Sequence, residues 1–461
     1  MALEELGVTF VKVGQIVSTR SDLLPPEFAQ ELAKLQDSLQ PLPLDVVKKA
    51  IADELGRPVE EIFGNFDPNP IGVASIGQAH AATLKDGTEV VVKARKPGVV
   101  EEAEEDLEIL RQLAATSAQR WEGAQEYDLV GIVEEIGETL RAEMDYVKEG
   151  RNAEHFARFF QRDESIHVPK IFWDYTKSRV ITMERVRGIG ILDIRSLDKA
   201  GFDRKELAKR VVNLWLKMVF EGEVFHADPH PGNLFVEAGG RLGLIDYGMT
   251  GVVDKEVRQH LAGALKAILD RDVDLLVESL TELGAVSPAG SRENLRKDLK
   301  HVMAHYPKLS MAELKDTSNL GELITMLRRN HVQLPSNSFM LLKALAMVQS
   351  LGKGLDPDLD FFSLLEPNVN RILKERYAPT AIIRRFPSAV MDLATLGMEL
   401  PQRLNRLARQ AERGELRVRA EASGLERHVE HLERLVNRVV IGVIAAALIV
   451  GGAILLLASR V

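Results

Sequence analysis

The most informative part of the sequence is the run His226-Ala227-Asp228-Pro229-His230-Pro231-Gly232-Asn233, followed by Leu244-Ile245-Asp246-Tyr247-Gly248. An Asp with an Asn five residues later, in a loop rich in Pro and Gly, can place a carboxylate against an acceptor while the amide oxygen faces a magnesium ion. The second Asp follows a predicted strand and can bridge that metal to nucleotide phosphates. Each motif alone is weak evidence for such a site, but the two together, in this order and at this interval, predict a phosphotransfer site for Mg²⁺ and ATP.

Composition narrows the class of protein. The chain has 461 residues, of which 45% are hydrophobic, so it can bury a large core, and its length favours two lobes with attachments. A net charge of −9 argues against a nucleic-acid partner, which normally has a basic domain. The lack of cysteine excludes disulfides and thiolate metal sites. The first five residues include acids instead of a basic region, so we expect no secretory signal.

The predicted elements follow the order of a protein-kinase small lobe and a helical large lobe. Residues 71–84, 89–94 and 179–183 are rich in β-forming residues, and a long helical region at 99–160 lies between the second and third of these runs. Other predicted helices cover the first stretch up to Pro25-Pro26, then 27–39, 45–55 and 203–221. Two short strands, 234–236 and 243–245, precede a nearly all-helical region from 255 to about 400 with breaks at Pro288, Pro335 and Pro367.

Lys93 ends an apolar strand, Glu89-Val90-Val91-Val92-Lys93-Ala94, where it could face a nucleotide cleft. The alternative is an exposed lysine on an edge strand, because lysine is nearly always exposed. The Asp228 loop downstream favours the cleft. A buried ammonium needs a carboxylate partner, and Glu143, in Ala142-Glu143-Met144-Asp145-Tyr146, is the best-placed helical acid.

The C-terminal stretch predicts attachment to a membrane. Residues 439–458 are apolar or glycine throughout, about the twenty needed to cross a bilayer as a helix. The preceding segment, 401–438, is amphipathic and rich in arginine, typical either of a solvated helix on the large lobe or of a helix on anionic lipid. The arginines place the body of the protein on the cytoplasmic side. We expect a bacterial-type inner membrane protein with one C-terminal span and a cytoplasmic catalytic body.

Six segments together resemble a known family. They are similar to the signature set of the UbiB/AarF (ADCK/Coq8-like) atypical kinase-like proteins, which support the biosynthesis of ubiquinone and other quinone lipids. The resemblance runs in order from about Leu6 to the predicted membrane span. The segments are Phe10-Val11-Lys12-Val13-Gly14-Gln15, Ala74-Ser75-Ile76-Gly77-Gln78-Ala79-His80, Val91-Val92-Lys93, Glu143-Met144-Asp145-Tyr146, His226 to Asn233, and Asp246-Tyr247-Gly248.

In the N-terminal part, the resemblance implies a regulatory extension and a phosphate loop. Lys12 and Gln15 would belong to a Lys-x-Gly-Gln motif on an extension that folds over the cleft, where a protein substrate would otherwise lie. From the residues alone, both side chains would instead be expected on a solvated helix face. Ala74 and Ser75 would lie in an alanine-rich loop that replaces the glycine-rich loop of ordinary kinases.

For the catalytic centre, the resemblance implies that Lys93 contacts the nucleotide phosphates and pairs with Glu143. Asp228 would occupy the catalytic-loop position, while Asn233 and Asp246 would hold magnesium. The histidines of the loop are expected to be structural, because two histidines without a third ligand more often make hydrogen bonds.

Met183 and Glu184 look like the hinge between the lobes that meets the adenine. One departure from the family pattern is Gly72-Val73 before Ala74, where many relatives have alanines, so nucleotide preference need not follow the family norm. A second departure is the single predicted membrane span, where many relatives carry two.

We therefore expect an α+β, two-lobed, protein-kinase-like fold that is mostly helical. The expected function is that of an atypical kinase or ATPase that binds Mg²⁺ and ATP, with membrane lipid, quinone precursors and quinone-biosynthesis enzymes as partners. The alternatives are a true protein or small-molecule kinase and a nucleotide-binding scaffold without turnover. The expected domains are a helical extension (1–65), the small lobe (66–183), the large lobe (184–400), a juxtamembrane segment (401–438) and a transmembrane helix (439–458).

Overall fold

The computed structural model describes residues 8–19, 41–120, 129–286, 291–305 and 336–377, with 326, 329–330 and 332 between the last two ranges. All the described residues belong to one compact unit, within 1–378. No helix in these ranges is long and apolar enough to cross a membrane. The predicted juxtamembrane segment, transmembrane helix and helix at 27–39 lie outside the described residues.

A twisted antiparallel sheet forms the small lobe, in the strand order β1-β2-β3-β5. The strands are β1 (Phe63–Val73), β2 (Gly77–Leu84), β3 (Glu89–Arg95) and β5 (Val180–Glu184). The predicted run 71–84 therefore covers the end of β1, a turn and the whole of β2. The turn is closed where the Ala74 N–H donates to the Gly77 carbonyl at 2.8 Å. This geometry places Ala74 and Ser75 at a hairpin tip, the position expected of a phosphate loop.

Six helices in the described part of the chain accompany this sheet. They are α1 (Val8–Thr19), α2 (Leu44–Leu55), α3 (Val59–Ile62), α4 (Val99–Arg120), α5 (Leu129–Glu143) and α6 (Tyr146–Phe159). Helix α2 packs on the sheet and ends at Gly56, whose φ of 77° is the left-handed conformation that glycine adopts without strain. Helices α1, α4 and α5 pack together through an apolar cluster that includes Leu107, Ile136 and Leu140.

The large lobe is mostly helical. Its helices are α7 (Ile194–Lys199), α8 (Arg204–Glu221), α9 (Lys255–Asp270), α10 (Val273–Glu282), α11 (Arg292–His305), α12 (Ser336–Leu355) and α13 (Phe361–Tyr377). Asp203 caps α8 by accepting the Lys205 and Glu206 N–H groups. One face of α8, including Trp215 and Phe220, is buried where α12 and α13 pack against it. This packing forms the main core and supports the loops that follow α8.

Two small sheets in the large lobe hold those loops. Strands β4 (Ile166–His167), β9 (Leu242–Leu244), β8 (Leu234–Val236) and β6 (Ile189–Gly190) form one sheet in that order. Strands β7 (Val224–His226) and β10 (Thr250–Val252) form the other. The β8–β9 hairpin therefore separates the two predicted metal-binding loops, and the β7–β10 pair joins their outer ends.

One predicted helix break is wrong. Pro367 lies inside α13 and does not end it. A proline within a helix removes one backbone hydrogen bond, but α13 packs against α8 and α9 and buries Leu365, Val369 and Ile372. We attribute the persistence of the helix to this burial, which outweighs the lost bond.

Candidate active site

Strand β3 carries Lys93 into the space between the lobes. The strand lies between β2 and β5, where Lys93 is opposite Ala79 and Ile181. Because successive side chains of a strand point to opposite faces, Val90 and Val92 are buried in the small-lobe core and Lys93 projects from the other face.

Two carboxylates bind the Lys93 ammonium. Its Nζ lies 2.5 Å from Glu149 Oε1 and 3.1 Å from Asp246 Oδ2. The predicted pairing of Lys93 with Glu143 is wrong, because Glu143 Oε2 instead lies 3.0 Å from Lys12 Nζ. Lys93 thus bonds to the small lobe through Glu149 and to the large lobe through Asp246.

The start of α6 explains why Glu149, and not Glu143, meets Lys93. The predicted helical region breaks before α6, where Asp145 caps the new helix by accepting the Val147 and Lys148 N–H groups. Glu149 then falls on the buried face of α6 with Tyr146, Ala153 and Phe156. The sequence signal that could have identified Glu149 is its helical spacing from buried apolar residues, because a buried acid requires a charged or hydrogen-bonding partner.

Burial and charge have opposite effects on the pKa values of Lys93, Glu149 and Asp246, which together form the Lys93 cluster. Burial raises the pKa of Glu149, and the Lys93 charge offsets only part of this effect. Burial also acts to raise the pKa of Asp246, but the Lys93 charge and the Gly248 N–H lower that pKa to about 2. For Lys93, burial favours the neutral amine, but Asp246 and Glu149 outweigh it and raise the pKa. The ammonium and the Asp246 carboxylate are therefore both charged near neutral pH.

The Asp228 loop and the Asp246 loop are connected through His226. The His226 Nδ1 accepts the Asp228 N–H at 3.2 Å, while its Nε2–H donates to the Asp246 carbonyl. His226 is fully buried, and burial lowers the pKa of its imidazole, which is consistent with this neutral tautomer. His230 accepts the Gly232 N–H at 3.1 Å. Both histidines therefore make structural hydrogen bonds, as the sequence predicts.

Asn233 and Asp246 lie at the same end of the β8–β9 hairpin. The Asn233 carbonyl accepts the Ile245 N–H at 3.1 Å, one residue before Asp246. The Asn233 Nδ2 lies 3.4 Å from Asp228 Oδ2, which turns the amide towards the acid of the catalytic loop. The other amide atom is a hard oxygen, as is each carboxylate oxygen of Asp246, and such ligands suit Mg²⁺. Within the described residues, no group of three or more His, Asp or Glu side chains gathers into an all-protein metal site.

A cavity of about 290 Å³ brings seven of the predicted site residues together, but Asn233 is not among the described residues that line it. Both lobes and α1 contribute to its wall. Ser75 is 1% exposed, and its Oγ is buried without a hydrogen-bond partner. A buried hydroxyl without a partner is costly, so a bound oxygen-rich group such as a phosphate would satisfy it. The predicted site residues in the lining are Lys12, Ala74, Ser75, Lys93, Glu143, Asp228 and Asp246.

The predicted hinge residues lie apart from this cavity. Met183 is 2% exposed and packs into the main core, and Glu184 Oε2 lies 3.3 Å from His167 Nε2. Neither residue is among the described residues that line the cavity. Their contact with adenine stays a prediction. The same holds for Gln15, whose side chain lies outside the described part of the structure.

Comparison with protein families gives three consecutive matches. The ABC1 atypical kinase-like domain matches residues 34–280, the UbiB helical domain matches 299–360, and the ABC1/UbiB kinase-like C-terminal domain matches 423–461. The first match covers the Lys93 strand and both predicted metal-binding loops. It therefore supports a two-lobed kinase-like fold for the described region.

Individual relatives match over most of their length. The "Probable protein kinase UbiB" of Xylella fastidiosa is 32% identical over 461 residues, which cover 99% of this chain and 84% of the relative. The protein of the same description from Marinobacter nauticus is 34% identical over 87% of this chain and 74% of its own. The "Uncharacterized protein sll1770" of Synechocystis is 32% identical over 92% of this chain and 73% of its own length.

Among solved structures, the Rv3197–erythromycin complex from Mycobacterium tuberculosis aligns with a TM-score of 0.55 and 23% identity. The alignment covers 77% of this chain and 90% of the other. At this identity the likeness shows a shared fold.

Proposed function

The chain belongs to the ABC1/UbiB family of atypical kinase-like proteins, and from that premise we propose that it binds Mg²⁺ and ATP between its lobes and hydrolyses the nucleotide or transfers its phosphoryl group. The observation that carries this proposal is the Lys93 cluster. One ammonium contacts a small-lobe and a large-lobe carboxylate, beside Asp228 and the unpartnered Ser75 hydroxyl.

The charges of the cavity favour a nucleotide that carries a divalent metal. A net formal charge of −2 would repel a triphosphate, and a divalent cation offsets it. Asn233 and Asp246 would hold the ion, which would supply positive charge to stabilise the phosphates. The charged side chains of the lining are four carboxylates, Glu143, Glu149, Asp228 and Asp246, and two ammonium groups, Lys12 and Lys93.

Each protein group would have a defined task. Lys93 would move from Asp246 to the phosphates and remain held by Glu149, which fixes the direction of its ammonium. Asp228 would orient a water or a small hydroxyl acceptor and take its proton. The Ser75 Oγ–H would donate to a phosphate oxygen at the hairpin tip. Positioning and charge compensation are the main contributions expected from a phosphotransfer site.

The position of Lys12 favours a water or small acceptor over a protein substrate. Lys12 reaches the cavity from α1 and binds Glu143 at 3.0 Å. A bulky acceptor would have to displace this pair to reach Asp228. We therefore take ATP hydrolysis, coupled to the handling of hydrophobic molecules, as the leading form of the activity, with a true kinase as the second candidate.

The quinone and membrane parts of the proposal rest on the family and on the C-terminal sequence. Relatives described as probable protein kinase UbiB cover nearly the whole chain, and the family resemblance implies a role in ubiquinone or related quinone-lipid biosynthesis. Residues 439–458 would anchor the body at a membrane, where quinone precursors dissolve.

The test is an assay of Mg²⁺-dependent ATPase activity and nucleotide binding. The purified full chain is measured with and without anionic liposomes and a quinone-precursor analogue. We expect Lys93→Ala and Asp246→Asn to abolish turnover, and Asp246→Asn to remove Mg²⁺-dependent binding. Matched controls are Lys85→Ala and Asp86→Asn, because both residues lie at the β2–β3 turn and outside the cavity lining.

The outcomes separate the alternatives. Release of free phosphate supports hydrolysis, and stable transfer of labelled phosphate to an acceptor supports a kinase. If the wild type binds nucleotide without turnover, the scaffold alternative is favoured. Unchanged nucleotide binding in Asp246→Asn would refute the proposed metal site.

A further inference from the structure

A second ionic cluster lies at the predicted hinge, outside the cavity lining. His167, on β4, has its side chain 11% exposed and is placed between two carboxylates. Its Nδ1 lies 2.8 Å from Glu237 Oε1, and its Nε2 lies 3.3 Å from Glu184 Oε2. Glu184 is the last residue of the small-lobe strand β5, whereas Glu237 follows β8 in the large lobe. One imidazole therefore connects the small-lobe sheet with the hairpin that separates Asn233 from Asp246.

Only the protonated ring satisfies both contacts. Both ring nitrogens face carboxylate oxygens, so both must donate, and only the imidazolium has two N–H groups. Bonds to Glu184 and Glu237 raise the pKa of His167, although burial opposes them. The bond from His167 in turn lowers the pKa of Glu184. Among the described residues, the charged groups facing the ring are Glu184 on β5, and Glu237 and Arg241 on the β8–β9 hairpin.

Loss of the proton would release the hinge side of the cluster. Glu237 keeps a second partner, since Arg241 Nε lies 2.5 Å from its Oε2. Glu184 is 42% exposed and its Oε2 also accepts the Lys170 N–H at 3.2 Å, so water and this backbone group can satisfy its carboxylate once the ring no longer donates to it. A neutral ring that retains its Nδ1–H for Glu237 presents a lone pair to Glu184, which repels the carboxylate. The bond to the hinge residue is therefore the one that deprotonation breaks.

We propose that His167 is a positioning residue that holds the hinge end of β5 against the β8–β9 hairpin, so that the two lobes keep their spacing for the nucleotide. This inference rests on the proposed function, because it predicts how nucleotide affinity depends on the hinge. The raised pKa fixes the sign of the pH effect. The cluster is intact below the ordinary histidine pKa and is lost as pH rises through the raised value.

The experiment measures the affinity for a fluorescent ATP analogue with Mg²⁺ from about pH 6 to about pH 8.5. We expect wild-type affinity to fall about three- to tenfold across this range, the effect of one partly exposed charge-assisted bond. His167→Gln should bind at the weaker level throughout, with little pH dependence. Glu184→Gln removes only the hinge partner and should behave in the same way. The matched control is His260→Gln, since His260 lies 3.3 Å from Glu282 and neither residue lines the cavity.

Hydrogen exchange of the β5 amides without nucleotide tests the cluster independently of the proposed function. At about pH 6, where the His167 ring is protonated, the amides of residues 180–184 should exchange faster in His167→Gln than in the wild type. Their exchange should be unchanged in His260→Gln. This result would support the hinge contact whether or not the wild type binds nucleotide. Absence of nucleotide binding in the wild type would refute the proposed function and leave the hinge contact standing. Equal exchange, or a wild-type affinity and pH profile in His167→Gln, would overturn the role of His167.

Discussion

Glu149→Gln is the substitution that best tests the assignment of the Lys93 partner. Glutamine keeps the shape of the side chain and removes its charge. Glu149 is 5% exposed at its side chain and its Oε1 lies 2.5 Å from the ammonium, so solvent cannot replace the lost attraction. Lys93 would then rely on Asp246 alone, which would draw the ammonium towards a predicted metal ligand and away from the phosphates.

The magnitude follows from the type of bond that is lost. A buried hydrogen bond between charged groups contributes about 2 kcal/mol, which corresponds to roughly thirtyfold in a rate or binding constant. We expect kcat/KM for ATP to fall by at least this factor in Glu149→Gln. The lysine has 17% of its side chain exposed, so little of this loss should be recovered by hydration.

Glu143→Gln is the matched comparison. Glu143 lies six residues earlier and binds Lys12, and its side chain is 14% exposed. Its substitution should release Lys12 and leave the Lys93–Glu149 bond in place. The assay is steady-state ATPase kinetics at saturating Mg²⁺, with a thermal unfolding curve for each variant. A larger loss of kcat/KM in Glu143→Gln than in Glu149→Gln, with both variants folded, would refute the reasoning.

Three further predictions concern packing, catalysis and acid stability. Gly77→Ala should lower the free energy of unfolding by about 1–3 kcal/mol in a denaturant titration, because the added Cβ would lie 2.6 Å from a β3 carbonyl and from a tyrosine hydroxyl. Gly72→Ala is the control and should leave stability unchanged, because no atom lies within 4 Å of its added Cβ. Asp228→Asn should keep Mg²⁺-dependent nucleotide binding and lower turnover at least about a hundredfold, and unchanged turnover would exclude Asp228 as the proton acceptor. Burial acts to raise the pKa of Asp163, but its bonds from Lys217 and a neighbouring serine lower the pKa below 3.8. Asp163→Asn should therefore lower the melting temperature at neutral pH, by a difference that shrinks as pH falls below 3.8 and the native carboxylate is protonated.

The sequence predicts the parts of the site that depend on short-range spacing. The interval between Asp228 and Asn233 is fixed by one loop, and the structure brings their side chains to 3.4 Å. The apolar run before Lys93 likewise predicts a strand whose periodicity sends the lysine to the face opposite the core. These elements carry their geometry in adjacent residues, so no knowledge of the remote chain is needed.

The partner of Lys93 depends on where a helix begins, and that is why the sequence pointed to the wrong acid. Residues 99–160 have one continuous helical character, in which Glu143 and Glu149 are similar candidates. In the structure Asp145 caps α6 and a new helix begins there, which places Glu149 on the buried face. The contact between Lys93 and Asp246 spans 153 positions. No local pattern predicts this contact. The family resemblance assigns both residues to the nucleotide site but pairs Lys93 with Glu143.

Two of the ionic contacts between the lobes, Lys93–Asp246 and His167–Glu184, should respond differently to a nucleotide. The Lys93–Asp246 contact, at 3.1 Å, uses the atoms that the proposed phosphates and metal would require. Binding must consequently separate this pair, while Glu149 keeps Lys93 on the small lobe. The His167 contact with Glu184 uses no atom that the proposed metal or phosphates require, so it can persist while the cavity opens. We infer that the lobes separate at Asp246 and pivot at His167, which explains why a hinge contact outside the cavity lining would control nucleotide affinity.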